Sequence, residues 1–422
     1  MRNGRRNERP STVLFMAESV TLAQVVRLSV LARSIPRSVA RVVFATSHFD
    51  PLVFRELDAE QVVVKGPNPN VALDAVARGK PYHDLSSLEA SVAEDHRVFE
   101  RVQPDLVVGD LRPSLAVSAR EAQIPYANLI NAYWSPRAVR DRVPMPDHPI
   151  VSLVGVERAA RYFPKAMPHV FRHFARPYRE LRRRHGIADI EDLFDLLLDG
   201  DTTLFPDIPS IAPLTEQRSS ELFLGAIPWQ PPVPLPAFWS ELRRDVPLVY
   251  ATLGSSGQAS RLEWVLDALS ELDVEVVAAT AGRVTPRHVP RNAHVADYLP
   301  GEVLARAASI VISNGGSSTG YQALAAGKPV IGIASNLDQY LATDAIVRAG
   351  AGLGLRAGTL RRSEITVAVR AALADSSMQA RARELALTFA RHDPVARFGE
   401  FLRSTLPGPG AALDSPREAG GA

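Results

Sequence analysis

Residues 311–329, VISNGGSSTGYQALAAGKP, decide the reading of this chain. A short apolar strand, residues 309–312, runs into Asn314, Gly315 and Gly316 and then into the hydroxyls of Ser317, Ser318 and Thr319. A helix-forming segment, residues 322–326, follows and is closed by Gly327 and Pro329. Paired glycines let backbone approach an anion, and the N–H groups at a helix start point toward it. Strand, small-residue turn and helix start together make a diphosphate cradle. The same residues also fit an ordinary strand-to-helix turn, so the neighbourhood has to arbitrate.

Upstream lies VADYLPGEVLARA, residues 295–307, and downstream VIGIASNLDQYLATDAI, residues 330–346. In this order the segments resemble the C-terminal half of the family-1, UDP-glycosyltransferase-like enzymes, especially the bacterial branch that glycosylates natural products. That family reads aromatic-x-Pro-Gln, then His-Gly-Gly-Ser-x-Thr with a Glu soon after, then Ala-Gly-x-Pro and Asp-Gln. The resemblance is densest over residues 248–355. It implies an α/β protein of GT-B fold, two Rossmann-like doubly wound domains facing across a cleft. The C-terminal half would hold the nucleotide sugar and the N-terminal half the acceptor. No metal is expected, because family members neutralise the diphosphate with helix starts and hydroxyls.

Composition agrees and excludes other classes. At 422 residues the chain is long for one core, so two domains are expected. The apolar and charged fractions, 46% and 22%, are those of a globular protein. The absence of cysteine excludes disulfides, thiolate catalysis and cysteine zinc sites, and the histidines show no ligand spacing. No Walker-type lysine follows a glycine loop, and residues 16–21, MAESVT, lack the G-x-G-x-x-G of a dehydrogenase. Nucleic-acid binding has only an arginine run behind it. The apolar run 12–17 is too short for a signal-peptide core, and no stretch reaches the roughly 20 apolar residues of a membrane span. A cytoplasmic enzyme is expected.

Strands alternate with helical segments, which argues for parallel sheets with crossover helices. The first half offers strands at 12–16, 41–45, 61–64, 106–108 and 126–130, and then a long irregular Arg-rich stretch, 131–200. Pro228, Pro231, Pro232, Pro234 and Pro236 forbid helix or central strand and mark a stiff linker. A second set follows at 248–252, 275–279, 294–295, 309–312 and 330–333. The expected division is an acceptor domain (1–228), a linker (229–245), a donor domain (246–390), a helix returning to the first domain (391–406) and a disordered tail (407–422).

Donor residues transfer position by position from the resemblance. Thr252, Gly254, Ser255 and Ser256 end the first strand of the second half and would offer donors to the diphosphate or sugar. Tyr298 with Pro300 stands at the base-recognition turn, where a ring packs on a nucleobase. Asp338 and Gln339 match the pair that grips sugar hydroxyls, although Asp338 also suits an N-cap. The departures carry information too. Asn314 replaces a histidine against the diphosphate, and Gln322 replaces the ribose-binding glutamate. An amide accepts with one end and donates with the other, so a thymidine sugar lacking the 2′-hydroxyl competes with uridine. The nucleotide sugar is therefore UDP- or dTDP-linked.

The general-base histidine of the family is Gln24 here, which cannot take a proton at neutral pH. Three accounts stand open. Asp110, His48 or His83 supplies the base; the acceptor is a phenol or carboxylic acid that loses its proton readily; or the chain is a non-catalytic relative that binds a nucleotide sugar or activates a partner enzyme. Acceptor contacts are expected from Gln24, Asn131, Tyr133 and Trp134, whose flat rings suit a hydrophobic small molecule. The cationic run 172–186 suits an acidic acceptor or an anionic membrane surface, or is simply the solvated side of a helix.

Overall fold

The computed structural model describes residues 10–78, 80–254 and 260–406. Ser255, Ser256 and the tail 407–422 lie outside the described residues. Two parallel sheets carry the chain. The first contains β1 (Ser11–Ala17), β2 (Ala40–Thr46), β3 (Glu60–Val63), β4 (Leu106–Asp110), β5 (Tyr126–Leu129), β6 (Thr202–Phe205) and β7 (Glu221–Phe223), in spatial order 3-2-1-4-5-6-7. The second contains β8 (Leu248–Thr252), β9 (Glu275–Ala279), β10 (Ala293–Ala296), β11 (Ile310–Ser313), β12 (Val330–Ala334) and β13 (Gly352–Arg356), in order 10-9-8-11-12-13. Helices cover both faces, which is why strands such as LVYAT and EVVAA are buried at every position rather than alternating.

Each sheet reverses its winding beside its first strand, between β1 and β4 and between β8 and β11. Ligands in such sheets sit outside the strand C-termini at that switch point. Register fixes what meets there. Ala17 pairs with Asp110 in the first sheet, and Thr252 with Ser313 in the second. The loops that leave these four residues therefore start side by side.

The last helix, Pro394–Thr405, leaves the second half and packs on the first. Phe398 is fully buried among Val13, Phe15 and Leu28, with its ring 6.1 Å from that of Phe15. Gly225, at the start of the proline-rich segment, has φ +98, and a Cβ there would stand 2.3 Å from the His392 carbonyl oxygen. Both crossings between the sheets thus press against one another, and only glycine fits between them.

The structure corrects the irregular reading of 131–200. Val156–Arg184 is one 29-residue helix despite Pro164, Pro168 and Pro177. Its inward row, Ala159, Phe163, Phe171, Ala175, Tyr178 and Leu181, has helical spacing that the prolines disguise. Two of these prolines are exposed, so the carbonyls they strand can reach water. β6, β7 and β13 were also missed. Two are only three or four residues long, and β13 (GLGLR) is diluted by glycine.

Truncating Phe398 to Ala should cost about 3–5 kcal/mol, because the cavity would open in the core of the first sheet. Denaturant unfolding of the variant measures it, and a change under about 1 kcal/mol would mean that the returning helix is not anchored there.

Candidate active site

The cradle is built by three backbone devices. β11 ends at Ser313, whose hydroxyl accepts the Gly315 N–H at 3.1 Å. Gly315 then turns at φ +79, where a Cβ would meet the Thr343 hydroxyl at 2.4 Å, so no other residue fits. Gly316 is the N-cap of helix Ser317–Ala325 and offers no side chain, leaving the N–H groups of the first turn without a side-chain cap. Asn314 Oδ1 accepts the Gly316 N–H at 3.2 Å, and its amide nitrogen lies against Gly254, which has φ +59. Thr252 Oγ1 accepts the Gly254 N–H at 3.3 Å. Thr252, Gly254, Asn314, Gly316, Ser317, Ser318 and Thr319 all face one cavity of about 1150 Å³. Two strand ends, a helix start and uncharged donors converge there.

A second wall suits a nucleoside. Tyr298, Leu299, Gly301 and Gln322 line it together with Trp229, Gln230 and Pro231 of the proline-rich segment. Pro300 does not line it. It is buried and stands at the N-cap position of helix Gly301–Ala307, so the aromatic turn presents Tyr298, which is 41% exposed. Gln322 Nε2 donates to the Trp229 carbonyl at 3.2 Å, and Gln230 Oε1 accepts the Glu302 N–H at 3.0 Å. That the linker enters the site could not be read from its residues, because prolines advertise stiffness and not position.

Between the sheets runs a buried polar network. Arg27 Nε and Nη2 donate to Asp110 Oδ2 and Oδ1 at 2.9 Å each, and Nη1 donates to Asn131 Oδ1 at 2.7 Å. Asn131 Nδ2 donates to Asp207 Oδ1 at 2.9 Å, and the Ala132 N–H to Asp207 Oδ2 at 2.7 Å. Tyr321, from the cradle helix, also donates to Asp207. Burial raises the Asp207 carboxyl, opposed by the Tyr321 and Asn131 bonds. Further out, Tyr133 Oη and Trp134 Nε1 both donate to Asp338 Oδ1, at 3.0 and 2.8 Å. Asp147 reaches across as well, accepting from Tyr340, Arg356 and the Gly358 N–H. Arg27, Asp147 and Asp207 escaped the sequence reading, since each is chemically ordinary until the fold pairs it.

Several expected roles change. Asp338 does not cap its helix; Asn336 does, with Gln339 Oε1 completing the box from Ser335 and Asn336 N–H groups. The carbonyl of Gln339 is therefore turned into its own helix end. Tyr133 is buried and bonds Asp338 rather than facing an acceptor, and both ends of Asn131 are engaged. His48 is exposed and does not line the cavity. His83 is buried and paired with Glu18 at 3.1 Å, one layer behind the lining residue Tyr82. Burial pushes the Asp110 carboxyl up to about 7 against the pull of Arg27, a value suited to a base. Its position is not suited: both oxygens are held by Arg27, and it is Arg27 that faces the cavity.

Gln24 does line the cavity. Its Oε1 accepts the Val20 and Thr21 N–H groups at 3.0 and 3.1 Å, closing the capping box of helix Leu22–Arg33. What it can present to a ligand is its amide nitrogen, a donor only. From there the cavity widens into an aromatic chamber walled by Tyr82, Trp134, Phe163, Phe171, Phe174 and Tyr178.

Similarity to known proteins follows the same lines. Residues 263–395 match the family described as erythromycin biosynthesis protein CIII-like, C-terminal domain. A PGL/p-HBAD biosynthesis glycosyltransferase of Mycobacterium tuberculosis (strain ATCC 25177 / H37Ra) is 42% identical over 94% of this chain and 92% of its own length. A PGL/p-HBAD biosynthesis rhamnosyltransferase of Mycobacterium bovis (strain BCG / Pasteur 1173P2) is 42% identical over 90% of this chain and 84% of its own. Among solved structures, a spinosyn rhamnosyltransferase complexed with thymidine diphosphate superposes with a TM-score of 0.66 at 18% identity, over 92% of this chain and 99% of that one.

Asn314→Asp should weaken nucleoside-diphosphate binding at least tenfold, because the cradle's amide donor becomes a negative charge facing phosphate. Calorimetry showing unchanged affinity would remove Asn314 from the phosphate site. Asp110→Asn should lower stability by about 3–5 kcal/mol, since Arg27 would lose its buried partner. A variant of normal stability that had lost turnover alone would return the base role to Asp110.

Proposed function

This chain belongs to the UDP-glycosyltransferase-like family of GT-B glycosyltransferases, and from that premise we propose that it moves a sugar, with inversion, from a dTDP-linked donor to a large apolar acceptor bearing an acidic hydroxyl or a carboxyl group. One observation carries this reading: the uncapped start of helix Ser317–Ala325 opens into the same cavity as the aromatic chamber. The amides and hydroxyls of Ser317, Ser318 and Thr319 hold the diphosphate, and no metal is needed to balance it.

The acceptor oxygen enters beside Gln24. It meets the amide nitrogen, the start of helix Leu22–Arg33 and, one turn on, Arg27, all of which favour an oxyanion. An acceptor that ionises readily then needs positioning and no strong base. Its oxygen forms the new bond to the anomeric carbon as the bond to the β-phosphate oxygen breaks, and the departing charge settles on the cradle.

Gln322 favours thymidine. Its nitrogen is engaged by Trp229, which leaves Oε1 as the one acceptor for a sugar with a single ring hydroxyl. The thymidine diphosphate in the spinosyn enzyme and the rhamnosyltransferase name of the mycobacterial relative support dTDP, with rhamnose as the first sugar to try. We place the reaction in the cytoplasm, where nucleotide sugars are made. Among the described residues no helix is long and apolar enough to cross a membrane.

Thermal-shift titration should rank dTDP above UDP and both above GDP, and Gln322→Glu should move the ratio at least threefold toward UDP. An unchanged ratio would sink the nucleoside argument. Failure of all three nucleotides to shift melting would sink the transferase reading itself.

A further inference from the structure

Helices Pro149–Val154 and Val156–Arg184 wall the acceptor chamber, and many of their side chains are open to solvent. Their exposed residues are unusually apolar for a surface. Leu153 is 85% exposed and Tyr162 61%, with Ile150, Val154 and Val170 also exposed. Cations are interleaved with them. Among the described residues Arg158, Arg161, Lys165 and Arg176 have no acidic partner, and Glu157 is the one acid in residues 148–179. The patch does not stop at the chamber. Ile150, Val154, Arg158, Tyr162 and Val170 belong both to the exposed face and to the cavity lining. At 1.5 Å per residue the longer helix is about 43 Å long, enough to lie along a flat surface.

We propose that this face docks on the headgroup layer of an anionic lipid bilayer and draws a lipid acceptor from it directly into the chamber. The chemistry is that of an interfacial helix: aliphatic and aromatic side chains enter the acyl boundary while arginines and lysine meet anionic headgroups. The excess of cations selects an anionic surface over a neutral one. The open continuity with the chamber selects a bilayer over a protein, because a protein seated on the patch would close the mouth. Contact is peripheral, since no described helix can span. The docking stands alone; the delivery of acceptor rests on the function proposed above.

The test uses the full chain sedimented with sucrose-loaded vesicles, one set of phosphatidylcholine alone and one also containing phosphatidylglycerol. Binding should favour the anionic set and fall as salt rises. Each near-surface cation contributes roughly a fivefold factor in affinity, so Arg161→Glu with Lys165→Glu should reduce binding at least tenfold. Leu153→Asp should reduce it as well. None of these three residues lines the cavity, so the dTDP-induced melting shift should persist in every variant and reports that each is folded. Vesicle binding without a nucleotide shift would keep the docking and overturn the transferase reading. Equal sedimentation with both vesicle sets, or variants that bind like the parent chain, would overturn the docking. So would a dimer in solution that Leu153→Asp dissociates, which would assign the face to a second copy.

Discussion

Asp207 is the point on which the two halves agree. Its carboxylate is fully buried and, among the described residues, has no cationic partner of its own; three donors, the Ala132 N–H, the Asn131 amide and the Tyr321 hydroxyl, stand in for one. Two of these come from the end of β5 and one from the cradle helix. A buried carboxylate is tolerable only when such bonds are all made, so the position of the cradle helix against the first sheet is tightly specified. Arg27 joins the same network and carries it to Asp110, and so to the strand ends of the first switch point.

Two other carboxylates repeat the theme at the rim. Asp338 belongs to the second half and receives both of its bonds from the first, through Tyr133 and Trp134. Asp147 belongs to the first half and receives its bonds from the second, through Tyr340, Arg356 and Gly358. Each side lends an acid to the other. The catalytic cleft is thus a joint between two sheets whose facing polar groups are satisfied by reciprocity, and little of its geometry belongs to either domain alone.

This explains what could be read from the sequence. The doubly wound sheets were legible because fully buried parallel strands leave continuous apolar runs such as 248–252 and 275–279, and their ends follow from pattern. The strand, glycine turn and helix of residues 310–325 were legible because Gly315 and Gly316 encode backbone geometry locally. Roles that depend on a partner far along the chain were not. Asp110 looked like a free carboxylate at a strand end, and nothing near it in sequence announces Arg27, 83 residues away. Asn131 and Tyr133 looked like acceptor contacts because the loop that carries them does reach the cleft, while their bonds point sideways into the joint. Gln24 and Gln339 are both third residues of capping boxes, a use that competes for the same amide a ligand would want.

The linker's attachment beside Gln322 has a mechanical consequence. Trp229 and Gln230 hold Gln322 and the start of helix Gly301–Ala307 from the covalent tether itself. The segment that joins the halves is therefore also part of the cavity wall, and a change in its length would displace that wall together with the joint.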